Sequence, residues 1–382
     1  MSGLVPVYPL YALLFLDSGL SPAQVSGLFA LWSVTGLLAE VPTGVLADRW
    51  SRRGALVLAG VLEAAGFAVW TAAPGPAGFA TGFVLWGVGG ALVSGAAEAL
   101  VYDGLAAVGA EAVYVRVHGA TTATELLVQV PTALAAGVLV SAGGYALVGW
   151  VSVVVCLAAA ALATRFPEPL RTAGDDDPAS LPTAVRTALR RPGLRRVVLA
   201  VALLGGLDAL EEYFPVMARD QGVATAVVPA AVLGVALAGA AGAALAGRVG
   251  RLPSRALPGL LGLSAVLLAA GALGSGPVAL TAVALSYGVY LAVLVVGEAR
   301  LQEQAPAVVR ATVTSVAGLG VELAALLVFA AWALGGALAV AGLFLAVVPV
   351  VAVTLPASRP PPRPGAVPAP GCRQRDVGTS GR

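Results

Sequence analysis

The sequence has no lysine, a single histidine, His118, and only two cysteines, Cys156 and Cys372. Each shortage removes a class of function. A phosphate-binding loop needs a Gly-rich turn ending in Lys, so ATP-driven transport by this chain alone is excluded. His118 and the cysteines stand at no ligand spacing with carboxylates, so no metal and no other cofactor is expected. Cys156 falls in an apolar run and Cys372 in a polar tail, which argues against a structural disulfide. Charge is scarce as well, at 11% of residues, against about a quarter in soluble domains. With a net charge of +2 and no dense basic face, nucleic acid is not an expected partner.

Hydrophobic sequence fills the gap. Apolar residues make up 59% of the chain, and the mean hydropathy is +0.92. Crossing a hydrocarbon core takes roughly 20 apolar residues. Uncharged runs separated by Gly, Pro or Arg number twelve, near residues 4–16, 23–46, 55–73, 77–100, 114–141, 145–164, 197–217, 223–247, 256–273, 278–299, 308–333 and 335–355. The expected fold is therefore an all-α membrane protein of twelve transmembrane helices in two six-helix bundles, with a shortened first helix. Met1-Ser2-Gly3-Leu4 lacks the basic start of a signal peptide and is expected to be retained.

Arginine sets the orientation, because cytoplasmic loops retain positive charge. Of the connections after odd-numbered runs, only the one containing Arg219 and Asp220 is basic. The alternate connections and the tail carry Arg49, Arg52, Arg53, Arg116, a cluster from Arg165 to Arg196, Arg248, Arg251, Arg255, Arg300, Arg310 and five tail arginines. Both termini are thus expected in the cytoplasm, in a multi-pass protein of the cell membrane. The polar stretch divides the chain into an N-terminal bundle (1–165), a cytoplasmic linker (166–196), a C-terminal bundle (197–355) and a disordered tail (356–382). Within the linker, residues 181–194 read either as an interfacial amphipathic helix or as solvated chain. Weak repetition supports the halving: Glu98-Ala99 recurs as Glu298-Ala299, and Arg116 with Thr121-Thr122 is echoed by Arg310 with Thr312-Val313-Thr314.

The most specific local feature is Gly44-Val45-Leu46-Ala47-Asp48-Arg49-Trp50-Ser51-Arg52-Arg53, after the second run. It resembles the loop 2–3 signature of the major facilitator superfamily, G-x-L-A-D-R-x-G-R-R, with Ser51 in place of the second Gly. The resemblance extends to the twelve-run plan and the long central loop. It implies alternating access by two bundles and a cytoplasmic gate formed by Gly44, Asp48, Arg49, Arg52 and Arg53. Glu40, Glu98, Asp103, Arg116, Glu298 and Arg310, near the same ends, are gate or packing groups. Gly44 permits close helix approach, and Asp48 can meet an Arg or a helix N-terminus. The fifth-run antiporter signature of the family, G-P-x-x-G-G, is not present around Pro131 and Gly137.

Nine carboxylates lie inside the runs, each costing roughly 2.5–3.5 kcal/mol at the bilayer centre if charged. Glu63 reads as a protonated packing group. Glu125, Asp208 and Glu322 fall near the midplane, where transporters place substrate and ion sites. Glu211 and Glu212 follow Asp208 at i+3 and i+4, on one face of a helix. Such groups carry a proton or hold a cation, and no Arg lies near the middle of a run to meet an anion. The expected cargo is a small neutral or cationic solute, exchanged for protons in efflux. Tyr213 and Tyr287 are aromatic candidates for the same cavity. Trp32, Trp70 and Trp86 have interfacial anchoring as the commoner role. The lipid bilayer is the only other partner expected, with the chain acting as a monomer. Three alternatives stand beside this reading: a nutrient or metabolite uniporter or symporter, a non-transporting receptor or scaffold, and an intramembrane enzyme. The last would use Asp208 and Glu212 as acids, but no positioned electrophilic group accompanies them.

Overall fold

The computed structural model describes residues 4–110, 113–168, 192–253, 255–305 and 310–355. Most of the expected linker and the whole tail lie outside the described residues, as do the side chains of Asp48 and Arg310. Every regular element among the described residues is helical. In chain order these are α1 (Tyr11–Asp17), α2 (Pro22–Arg49), α3 (Arg52–Ala72), α4 (Pro76–Ala106), α5 (Tyr114–Ala163), α6 (Pro192–Gly206), a 3-10 segment (Leu207–Tyr213), α7 (Phe214–Asp220), α8 (Val228–Val249), α9 (Ala256–Leu273), α10 (Gly276–Gln304) and α11 (Arg310–Thr354).

Eight of these, α2 to α5 and α8 to α11, are long and apolar enough to cross a membrane. Two are far too long for a single crossing. The 50 residues of α5 would extend about 75 Å as a straight helix, more than twice a hydrocarbon core. Each of the two breaks at a glycine pair. Gly143 and Gly144 have φ/ψ of −151°/20° and 61°/−163° in α5, and Gly335 and Gly336 have −161°/20° and 60°/−150° in α11. The second glycine of each pair needs the left-handed region that side chains disfavour. Nearly identical dihedrals at corresponding places are a structural repeat that the residue pattern shows only faintly. The glycine pairs coincide with two of the predicted connections, so α5 and α11 supply the fifth and sixth and the eleventh and twelfth runs.

Two expected spans differ from their prediction. The first is reduced to turns followed by the seven-residue α1. The seventh is not one helix but α6, the 3-10 segment and α7 in succession. Pro215 explains part of the break: it has no N–H to give the carbonyl of Glu211, and its ring crowds that turn. The adjoining Gly205-Gly206 pair adds weak helix propensity.

Packing follows the division into halves. In the first, α4 packs on α2 and α3, and α5 packs on α3. In the second, α10 packs on α8 and α9, and α11 on α6 and α9. The halves meet where α2 faces α11 and α5 faces α8. An aromatic cluster fills the first half: Trp70 and Phe83 lie 4.8 Å apart, Phe83 stacks on Trp86 at 5.7 Å, and Trp32 stacks on Trp86 at 4.9 Å. These tryptophans are interior packing groups rather than interfacial anchors. Ser21 caps α2 reciprocally with Gln24. Ser51, the departure from the family signature, caps α3 by accepting a 2.7 Å hydrogen bond from the Gly54 amide. That role accounts for a hydroxyl where the signature has glycine.

Glycine sets the approach of α8 to α10. A Cβ on Gly242 would collide with the Gly288 carbonyl, whereas one on Gly247 meets open space. Overpacking of this kind costs about 1–3 kcal/mol. Gly242→Ala should therefore lower the thermal unfolding midpoint of the purified protein, and Gly247→Ala in the same helix should leave it unchanged.

Candidate functional site

A cavity of about 310 Å³ lies between the halves. Its wall comes from the N-terminal segment (Val5, Tyr8, Pro9, Tyr11), α5 (Gln129, Thr132, Ala133), the 3-10 segment (Glu211, Glu212), α7 (Phe214, Pro215), α8 (Pro229, Val232, Leu233, Ala236) and α10 (Tyr287). Two carboxylates face it, and no Arg or His does. Neither Glu211 nor Glu212 makes a hydrogen bond or salt bridge to another described residue. Tyr11 adds a buried hydroxyl with no hydrogen-bond partner among the described residues. The site thus offers negative charge, aromatic faces and unused polar groups to an occupant.

The 3-10 geometry alters the expected arrangement of the carboxylates. With three residues per turn, Asp208 eclipses Glu211 while Glu212 is turned about 120° away. Asp208 lies off the cavity wall and accepts a 3.0 Å hydrogen bond from the Tyr287 hydroxyl. Tyr213 is also off the wall. It is fully buried, exchanges a 2.8 Å hydrogen bond with Ser26 and stacks on Trp332 at 4.0 Å. Glu322 lies elsewhere again, accepting a 2.7 Å hydrogen bond from Ser33 across the halves. Glu125 stands one turn from Gln129 on the same face of α5, on the Arg-rich side of the cavity, and is exposed. The structure therefore brings Glu211, Glu212 and Tyr287 together and places Asp208 directly behind them. Tyr8, Tyr11, Gln129, Thr132 and Phe214 are wall residues that sequence reasoning passed over. Polar Gln129 and Thr132 inside an apolar run were the available signal.

The two ends of the molecule differ. Near the Arg-poor end, Asp17 accepts 2.6 Å hydrogen bonds from Arg219 of α7 and from Tyr145 of α5. The Asp17–Arg219 ion pair joins the first half to the second. Beneath it, Phe29 meets Tyr213 at 5.3 Å and Phe329 at 5.7 Å. Gly137 passes so close to the Ala226 carbonyl that no side chain fits between them. Hydrogen bonds and an ion pair between described side chains of opposite halves lie here and, at Ser33 and Glu322, near mid-span.

At the Arg-rich end several contacts run within one half. Arg52 pairs with Asp103, linking α3 to α4. Arg53 lies 3.8 Å from Glu168, which also accepts a 2.7 Å hydrogen bond from Ser51. Glu40 accepts from Ser94 at 3.0 Å. Gly44 faces open space and so makes no close approach in this conformation. Arg49, Glu98, Arg116 and Glu298 are exposed. In the second half the buried Arg300, read only as an orientation signal, donates a 3.1 Å hydrogen bond to the Leu355 carbonyl.

The sequence profile of the Major Facilitator Superfamily matches residues 1–329. The chain belongs to this superfamily. It is accordingly a multi-pass membrane protein and a secondary transporter. A search among curated proteins returned no match. Solved structures of similar fold include the nucleoside transporter NupG, with a TM-score of 0.68 at 12% identity over 92% of this chain and 95% of that one. The D-xylose-proton symporter follows at 0.66 and 15% over 93% and 94%. A bacterial homolog of the human lysosomal transporter Spinster, in an inward-facing and occupied conformation, aligns at 0.67 and 14% over 92% and 90%. Identities this low carry the fold and leave the cargo to be argued from the site.

Exposed ion pairs contribute only about 0.2–1 kcal/mol each, so the Asp17 cluster biases the closed Arg-poor end without locking it. Asp17→Arg should widen distances between spin labels placed by Ala73→Cys and Ser275→Cys. Combining it with Arg219→Asp should restore the narrow distribution, because the pair is re-formed with its signs exchanged.

Proposed function

We propose that this transporter exports a small neutral or cationic solute in exchange for protons, by alternating access. The observation that carries the proposal is the cavity wall: two carboxylates, four aromatic rings and no basic residue. An anion would meet uncompensated negative charge there, at a cost that rises as water is excluded. A cation gains from both the carboxylates and the ring faces. A proton is the other natural occupant of a desolvated carboxylate. Competition between a proton and a cationic solute for the same negative region is the simplest basis for exchange.

In this reading residues 1–165 and 197–355 are the two moving bundles, and the Arg-rich end lies in the cytoplasm of a cell membrane. The conformation is then inward-open, with the Asp17–Arg219 pair, Tyr213 and Phe29 closing the outer side. Arg49, Arg52, Arg53 and the acidic groups at the same end would meet across the halves when the inside closes. The chain works as a monomer, since each half supplies part of the cavity wall.

Reconstituted vesicles with an imposed pH gradient test this reading. N-methyl-4-phenylpyridinium, a compact aromatic cation, should move against the proton flux. Glu211→Gln and Glu212→Gln should each reduce that flux by about tenfold, the equivalent of roughly 1.4 kcal/mol in binding. Movement of the probe in the same direction as protons would replace exchange with symport. Uptake of a neutral nutrient without any cation flux would remove the proposal.

A further inference from the structure

Tyr287 belongs to two environments at once. Its ring forms part of the cavity wall, while its hydroxyl donates to Asp208 Oδ1 at 3.0 Å, behind that wall. The ring has little freedom. A Cβ on Gly239 would stand 2.6 Å from Tyr287 Cε1, and Phe214 meets the ring edge-on at 4.8 Å. A ring confined on two sides, with its hydroxyl bound to a carboxylate, takes its position from that carboxylate. The carboxylate itself sits in the 3-10 interruption, one turn before Glu211, and 3-10 stretches within a helical span often serve as hinges.

We propose that Asp208 is the proton-binding group of the transport cycle, a site separate from the solute site at Glu211 and Glu212, and that Tyr287 transmits its charge state to the cavity. This rests on the exchange reading above and assigns its proton to one residue. The ionised Asp208 holds the phenol by a charge-assisted hydrogen bond, about twice as strong as a neutral one. A proton taken from water onto Asp208 weakens that bond and makes the carboxyl a donor in its turn. The Tyr287 hydroxyl then loses its strongest anchor, and the ring keeps only its packing against Gly239 and Phe214. The same proton removes one negative charge from beside the solute carboxylates, so a bound cation is held less tightly. Reciprocity requires that the cation in turn disfavours the protonated Asp208. Exchange follows without both ligands occupying one place.

The surroundings leave Asp208 available for this role. On its own segment Glu211, one 3-10 turn on, is within electrostatic reach, and Glu212 is turned away. From α10 come Tyr287, Tyr290, whose hydroxyl is engaged by the Leu204 carbonyl at 2.7 Å, and Glu298, within electrostatic reach toward the Arg-rich end. The part of α8 packed here offers Gly239 and no titratable side chain. Glu322 of α11 is engaged by Ser33. Arg219 and Asp220 of α7 lie at the far end, where Arg219 pairs with Asp17. No cation among the described residues is paired with Asp208.

Infrared pH-difference spectra of the full chain in lipid test the assignment without any solute. A titrating carboxyl band should be lost in Asp208→Asn, displaced in Tyr287→Phe and retained in the Glu211→Gln/Glu212→Gln double variant. A band that survives Asp208→Asn, or that disappears only in the double variant, overturns the proposal. If Asp208→Asn does not fold, an undisplaced band in folded Tyr287→Phe overturns it equally. In parallel, the Kd for N-methyl-4-phenylpyridinium should rise about tenfold on acidification in the unaltered protein and less than twofold in Asp208→Asn. An equal rise in both overturns the link between proton and solute. Failure of the unaltered protein to bind the probe would count against the cation-exchange reading, while the infrared result still decides the place of the proton.

Discussion

Hydrocarbon offers no hydrogen bonds, so every backbone N–H and C=O within a span must find its partner inside the protein. That constraint shapes the rest of the structure. It makes the described elements helical throughout, and it restricts broken helix to places buried in protein or lining a cavity. The 3-10 segment Leu207–Tyr213 is such a place. It interrupts the seventh span at the depth where the two halves enclose the cavity, and it carries Asp208, Glu211 and Glu212 there. Pro215 and the Gly205-Gly206 pair weaken the helix at that point, so the least helical stretch of the span also holds three of its four carboxylates.

The second organising fact is the difference between the two ends. At the Arg-poor end a single ion pair, buried aromatic rings and a glycine approach bring the halves together. At the Arg-rich end Arg52 and Arg53 pair within the first half, with Asp103 and Glu168. Arg52 and Arg53 of the family signature therefore hold α3 to its own neighbours in this conformation. Because exposed ion pairs are weak, neither end needs a strong lock, and a modest difference in solute affinity between two states suffices to shift the balance.

Much of the fold was legible because hydropathy accumulates along the chain. The runs around α2, α3, α4, α8, α9 and α10 were read with boundaries close to those observed. The break at Gly143-Gly144 falls between the fifth and sixth runs, and that at Gly335-Gly336 falls at the start of the twelfth. The seventh span was read as continuous, although Gly205, Gly206 and Pro215 announced its interruption. Taking it as an α-helix put Asp208, Glu211 and Glu212 on one face. In the structure Glu211 and Glu212 line the wall while Asp208 lies off it, bonded to Tyr287. Tyr213, an expected cavity group, is instead buried against Trp332. Tyr8 and Tyr11 went unnoticed because an aromatic residue near the end of a span has the appearance of an interfacial anchor.

The sequence by itself determined that the chain lives in lipid, how many apolar runs it has and which end gathers arginine. These properties are sums or patterns along the chain, and the bilayer reads them locally. Tertiary structure alone decided which carboxylates face the cavity and that Asp17, Tyr145 and Arg219 meet. It also decided that Tyr287 joins the wall to Asp208. Residues 17, 145 and 219 share no local pattern, and their contact depends on the docking of two halves. Which side of a span faces a cavity depends on helix rotation and on the local number of residues per turn. Both are set by packing against neighbours distant in the chain.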